Sequence, residues 1–499
     1  MGFDNDNFHY EDELNTEEMR NLDLLLHNIV SASVFPKNDI IGINTLIVTR
    51  PCAFEFLACE FSFIERVMKY VQSEDDIDNL LCAMELTATL TNSYEITDVL
   101  IDKGILTVLC SFLVESDYDR LKIIAMRCLH HIASQSKANC LLQFEEIRIS
   151  LKDDSKYGSP IQCVMYVIDE QIGGKQYSQF YEMQNYIKEG SNVEESLIDQ
   201  DNIKLRKLSL KFLVALVCSK NVPSCSLLAE IVEFIVKSTF EKNQELLIIA
   251  LYGCDDCVNN YFKYFWSPFS KYCCFSNFIN MIQDQYMYSR IKAIILLIFL
   301  SILENNSNEV DDFANNNFIQ VIQDYMISIQ NEENDSIKVI WCKIVFRFLE
   351  IQFEDNTVEK FENDFVNIFF ETKTFDTIYQ YLLEGTVDLK IYALPIFQIL
   401  FESFDITSKL NLLDKYPDLL LAITELLQCN ISNEENLICL FKMLGDMIDF
   451  YNANDQSLLE SVLNDDEIIR QIDFYIENHP LKISIRAKQL RNKILNDHN

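Results

Sequence analysis

From Asp119 to Ser134 the chain reads DRLKIIAMRCLHHIAS, in which Leu121, Ile124, Ala125, Cys128, Leu129 and Ile132 recur at i, i+3, i+4, i+7, i+8 and i+11. One apolar stripe with a 3.6-residue period predicts an amphipathic α-helix. Asp117 or Asp119 supplies its N-terminal cap and an acidic first turn. Just upstream, Ile105, Leu106, Leu109, Phe112 and Leu113 form a second stripe, and Ile96 to Ile101 a shorter one. Gly104 separates these two, as expected of a residue that adopts the left-handed conformation between helices. The unit from Tyr94 to Ser134 is therefore short helix, Gly turn, helix, acidic loop, long helix. A unit of this size cannot bury its own apolar face, so neighbouring units must stack on it.

The long-helix pattern recurs along the chain. Set on Ala125, the equivalent positions are Ala83, Ser209, Ala250, Ile295, Trp341, Ala393, Phe441 and Ala487. Successive separations from Ala83 onward are 42, 84, 41, 45, 46, 52, 48 and 46. These spacings match the roughly 40–47 residues of helical repeat arrays, and the 84 reads as two units, one of them degenerate. Helices preceding the long ones are predicted at Leu227 to Val236, Phe278 to Ile282, Phe318 to Ile329, Leu419 to Leu427 and Ile468 to Ile476. Residues 1–20 are acidic and polar and read as a mobile tail, with a first helix starting near Thr16. The array then occupies 21–499 as about ten helical units, irregular at 135–200 and 352–376. Val34 to Pro51 shows no clear period. Pro395, inside DLKIYALPIFQILF, predicts a kink or break. The final LKISIRAKQLRNKIL is basic, a polar helix suited to closing an array.

Composition narrows the class. Only 10 Gly and 8 Pro in 499 residues argue against a turn-rich all-β chain. Charged residues at 24% and hydrophobic ones at 49% describe a folded chain. A net charge of −36 repels nucleic acid and anionic lipid. It either favours a basic partner or reflects solubilising acidic loops between helices. The 16 cysteines are scattered, mostly on apolar stripes, the pattern of free thiols in a reducing compartment. The N-terminal sequence lacks the basic and apolar regions of a signal peptide. The longest apolar run, Ala293 to Leu303, is too short to span a bilayer. The expected location is cytoplasmic, with nuclear access open.

At AMRCLHHIAS, preceded by GILTVLCSFL, the chain resembles an armadillo repeat, most clearly over residues 77–134 and diffusely over about 200–495. The resemblance implies an all-α fold, a right-handed α-solenoid of armadillo-like (or HEAT-like) repeats whose third helices line a concave groove. In importin-α-like members those helices carry Trp and, four residues on, Asn, which hold an extended peptide. The matching positions here are Glu85, Arg127, Lys211, Tyr252, Leu297, Lys343, Pro395 and Met443, then Thr89, His131, Ala215, Asp256, Ser301, Arg347, Ile399 and Met447. Neither Trp nor Asn occurs at them, so that peptide ladder is not expected. The implied function is a non-catalytic protein-binding scaffold or adaptor that uses the concave surface. The alternative is a nuclear-transport receptor of the karyopherin kind that binds basic cargo. Candidate contact residues on the ridge are Arg127, His130, His131, Lys211, Tyr252, Asp256, Lys343 and Arg347, with Ile123, Met126 and Ser134 on the same face.

Candidate chemistry is sparse. Cys254 and Cys257 form a CxxC, but both fall on core positions, so no metal is expected. His130 and His131 are adjacent on a helix and point about 100° apart, which prevents them from gripping one ion. The clusters Glu74–Asp75–Asp76–Asp78 and Asp465–Asp466–Glu467 lie in inter-helix loops, where capping and solvation account for them. No GxGxxG, phosphate loop, HExxH or GxSxG motif is present. Tyr261 to Phe275 (YFKYFWSPFSKYCCF) interleaves Lys with aromatics and reads as an apolar loop under the array or as an exposed partner patch. The expectation is no catalysis and no cofactor, with a protein as partner and neither nucleic acid nor membrane.

Overall fold

The first helix is fixed by its own start. The Asn15 side chain accepts hydrogen bonds from the backbone N–H of Glu17 and Glu18, and the Glu18 carboxylate accepts from Asn15 N–H. This capping box satisfies donors that a helix start leaves open and sets the entry at Thr16. The span expected as a tail therefore ends in a helical turn. The computed structural model describes residues 14–73, 76–135, 149–150, 157–158, 161–165, 200–218, 225–305, 318–328, 335–354, 374–403, 406–416, 418–429, 431, 433–454 and 466–496. Residues 1–13, most of 135–200 and most of 352–376 lie outside them, as do Glu74, Asp75, Asp465 and Pro417.

The chain forms two compact units that divide between Tyr272 and Cys273. The first holds α1 (Thr16–Ser31), α2 (Lys37–Thr49), α3 (Ala53–Ala58), α4 (Phe61–Ser73), α5 (Ile77–Leu90), α6 (Tyr94–Asp102), α7 (Ile105–Glu115) and α8 (Asp119–Gln135). After these come α9 (Gln200–Cys218), α10 (Cys225–Lys237) and α11 (Gln244–Lys271). A two-residue antiparallel pair, β1 (Ile149–Ser150) with β2 (Tyr157–Gly158), sets Ile149 opposite Gly158. The second unit holds α12 (Cys274–Gln283), α13 (Ser289–Asn305), α14 (Phe318–Ser328), α15 (Asp335–Glu354), α16 (Thr374–Glu384) and α17 (Val387–Ser403). It continues with α18 (Ile406–Lys415), α19 (Leu419–Glu425), α20 (Glu434–Asn454), α21 (Asp466–Asn478) and α22 (Leu481–Asn496). The fold is all-α, a stack of helical repeats. Among the described residues no helix is long and apolar enough to cross a membrane.

Each unit is built as a ladder. In the first, α2, α5, α8, α9 and α11 pack side by side in that order. In the second, the rungs are α13, α15, α17, α20 and α22. A second layer, including α1, α4 and α7 in the first unit and α16, α19 and α21 in the second, covers one side of the rungs. All nine positions aligned on Ala125 are buried, none more than 3% exposed. The repeat register read from the sequence is thus the packing register. Gly104, at φ 83°, makes the left-handed turn between α6 and α7. Cys254 and Cys257 are fully buried, the core positions expected.

Several expectations are corrected. The spacing of 84 predicts a degenerate unit between α8 and α9, yet α8 packs directly on α9. Most of residues 135–200, the stretch read as that unit, lies outside the described residues. Val34 to Pro51 lacks a period because α2 buries Ile40, Ile43 and Ile47 while leaving Ile41 and Val48 exposed, which blurs the contrast between faces. Pro395 neither ends nor divides α17, which runs from Val387 to Ser403. Tyr261 to Lys271 is helical, the end of α11, and only Tyr272 and Cys273 turn the chain into α12. The kink in α11 falls at Tyr261 (φ −142°, ψ 37°), after which Phe265 and Phe269 turn into the core. Trp266 lies 5.9 Å from Phe262 and 5.6 Å from Phe269, centroid to centroid.

Candidate functional site

A ladder helix has neighbours on both sides and a covering layer behind, so only a narrow stripe meets solvent. On α8 that stripe is Ile123, Arg127, His130 and Ser134, at i, i+4, i+7 and i+11, with His131 beside it. Met126, expected on this face, is fully buried. Its position turns it toward a flanking rung, which a two-faced picture of the helix does not foresee. Met443 and Met447 are likewise buried, and α20 instead shows Lys442 and Asp449.

The eight candidate residues divide between the units. Arg127, His130, His131, Lys211, Tyr252 and Asp256 belong to the first; Lys343 and Arg347 belong to the second. Most are engaged inside the ladder. The Arg127 guanidinium on α8 donates to the Glu85 carboxylate on α5. His131 Nδ1 lies 3.1 Å from the Ala88 carbonyl oxygen of α5 and 3.4 Å from Thr91 Oγ1. The Cys218 thiol at the end of α9 donates to Asp256 of α11 at 2.8 Å. Lys343 Nζ of α15 sits 4.8 Å above the Tyr392 ring of α17. Arg347 pairs within its own helix with Glu350, at 2.5 Å. Lys211 is half-buried, and Tyr252 is 37% exposed.

Burial gives the histidines a common property. His130, half-buried with its Nδ1 lacking a hydrogen-bond partner, is held down to about 4 by burial and then by neighbouring His131 and Lys211. His131 is also lowered by burial, against the Ala88 hydrogen bond that raises it. Both are neutral at physiological pH. The Cys218 thiol is pushed up to about 12 by burial and by the Asp256 carboxylate. Among the described residues no group of three His, Cys, Asp or Glu side chains is placed to hold a metal ion.

A cleft of about 380 Å³ lies between α2, α5 and the start of α8. Ile40, Ile41 and Leu81 supply its apolar part; Lys37, Asp78, Glu85 and Arg120 supply both signs of charge. Asn44 lines the same cleft, and its Oδ1 is buried without a hydrogen-bond partner. Lys37, Ile40, Ile41 and Asn44 escaped the sequence reading, because α2 showed no period there, and Asp78 was read only as a capping acid. A signal existed for the pairs between rungs, whose members stand about one repeat apart. Arg127 and Glu85 are 42 residues apart, Lys207 and Glu245 38, and Lys493 and Asp449 44.

No protein-family model and no curated protein matches the chain. Among solved structures, an engineered protein aligns over 95% of this chain and 99% of its own, at 10% identity and a TM-score of 0.58. That likeness is one of fold. A designed armadillo repeat protein aligns over 57% of this chain and 99% of its own, at 10% identity and a TM-score of 0.38.

Proposed function

We propose that the protein is a non-catalytic protein-binding scaffold with armadillo-like repeats, and that a partner docks on the solvent stripe of the first unit's ladder. The observation that carries this reading is the cleft between α2, α5 and α8. It combines an apolar floor with both signs of charge. Such a mixture suits the side chains and backbone of another protein, which must satisfy polar groups while burying apolar ones. Neither Lys37 nor Arg120 makes an ion pair among the described residues, so both remain available at the rim. Arg127 and Asp256 support the surface by joining rungs rather than by standing free.

The test starts from a partner recovered with the native protein and identified by mass spectrometry. Ile41→Asp, Arg120→Glu and Tyr252→Ala, made together, are expected to weaken its binding about tenfold or more with little change in thermal unfolding. Changing the acids Asp75 and Asp466 to Asn is expected to matter far less. If the acid set abolishes binding and the ladder set leaves it intact, the stripe is not the docking face.

A further inference from the structure

α22 is the last rung of the second unit, packed on α20 and α21 through Ile483, Ala487, Leu490 and Ile494. Its sequence, LKISIRAKQLRNKILN, holds five basic residues and no carboxylate, within a chain of 77 acidic and 41 basic residues. Two of the five are neutralised from within. Arg491 pairs with Asp473 of α21 at 2.6 Å and Lys493 with Asp449 of α20 at 2.5 Å. Lys482, Arg486 and Lys488 are exposed and make no ion pair among the described residues. Beside them Leu481 is 75% exposed and Ile485 46% exposed, one helical turn apart. The solvent face of α22 therefore carries an apolar pair flanked by three uncompensated cations.

A merely solubilising face does not need this pattern. Acids are plentiful in the chain, and one placed at i+4 would neutralise each cation on the same helix. The apolar pair gains nothing from water. We propose that this face docks an acidic amphipathic helix of another protein. Two of its apolar side chains would seat on Leu481 and Ile485, and its flanking carboxylates would meet Lys482, Arg486 and Lys488. The charge of −36 decides what size of partner fits. At 0.15 M salt the screening length is about 8 Å. A single helix, about 10–12 Å across with its side chains, experiences mainly the local cations. A long polyanion or a second copy of this chain would also extend over acidic surface. The apolar pair at the centre of the face adds nothing to the recognition of phosphates. No residue is shared with the cleft of the first unit, so the two proposals stand or fall separately.

The experiment uses the full chain and a fluorescein-labelled helical peptide of roughly 18 residues, long enough to hold helix when bound. One face of the peptide carries Leu and the rest Glu and Ala; a twin carries Lys in place of Glu. Fluorescence anisotropy at physiological salt is expected to show binding of the Glu peptide. Lys482→Glu, Arg486→Glu and Lys488→Glu together should weaken it about tenfold or more, as should Leu481→Asp with Ile485→Asp. Thermal unfolding should be unchanged, since all five side chains are exposed. Should the charge reversals disturb folding, the Gln triple variant is used, with a smaller loss expected. Failure of the wild type to bind the Glu peptide, or equal binding by wild type and variants, overturns the proposal. Sedimentation showing a wild-type oligomer that both variants reduce to monomer would assign the face to a second copy. Binding of an oligonucleotide that the charge variants abolish would assign it to nucleic acid. Either result refutes the proposal.

Discussion

Replacing Gly253 by Ala tests the packing of the first unit where two effects of similar size oppose each other. Gly253 lies on α11 where it meets α9 and α10. A Cβ there would fall 2.7 Å from Val214 Cγ2 and 2.9 Å from Ile235 Cγ2. Both neighbours are β-branched and stiff at χ1, so neither methyl can swing aside without leaving its rotamer. Overpacking of this kind costs about 1–3 kcal/mol. Helix propensity pulls the other way, since Ala is favoured over Gly by about 1 kcal/mol inside a helix. The clash is expected to win, leaving a net loss of about 1 kcal/mol and a melting temperature lower by about 2–4 °C for a unit of this size. Gly445 of α20 is the control. Its Cβ would fall 3.2 Å from Lys493 Nζ, the far end of a flexible chain. That ammonium can shift and keep Asp449 as its partner, so Gly445→Ala should gain stability. Scanning calorimetry of the full chain measures both, and if the two units melt separately each substitution should move its own transition. A rise in melting temperature for Gly253→Ala equal to that for Gly445→Ala would refute the close approach of α9, α10 and α11.

Three further outcomes are expected. His130 has a folded pKa of about 4, below the ordinary 6.5, so the unfolded chain binds its proton first as pH falls. The stability this contributes is full above pH 6.5 and is lost between 6.5 and 4, and His130→Asn should flatten the pH dependence of the unfolding midpoint in that window. Thiol labelling under native conditions should modify the exposed Cys59 and Cys273 first; Cys218, though exposed, should react at least about tenfold more slowly because its thiolate is suppressed, and Asp256→Asn should speed it. Trp341→Ala should cost about 3–5 kcal/mol in denaturant unfolding, since the ring is buried and meets Tyr381 edge-on at 5.7 Å; a loss below about 1 kcal/mol would place it outside the core.

The rungs were legible because a core position leaves a periodic trace. Ala83, Ala125, Ala250 and Ala487 are small where helices approach closely, and each recurs with apolar neighbours at helical spacing. What the stripe faces on its other side is not periodic in the same way. Met126 looks solvent-facing on a two-faced helical wheel and is buried, because a rung is covered from three directions.

The candidate site was legible as a stripe but not as chemistry. Arg127, Asp256 and Lys343 were singled out for what they offer a partner. In the fold their nearest roles are internal: Arg127 with Glu85, Asp256 with Cys218, and Lys343 with Tyr392 tie one rung to the next. A partner that used Arg127 would have to compete with Glu85, and the gain would be only the difference between two half-exposed ion pairs, typically below about 1 kcal/mol. Lys37 and Arg120 carry no such competing pair among the described residues, and they flank an apolar floor. On this ladder the side chains most able to contribute binding energy are those whose counterpart one repeat away is missing. That criterion leads to the cleft between α2, α5 and α8, and independently to the cationic face of α22.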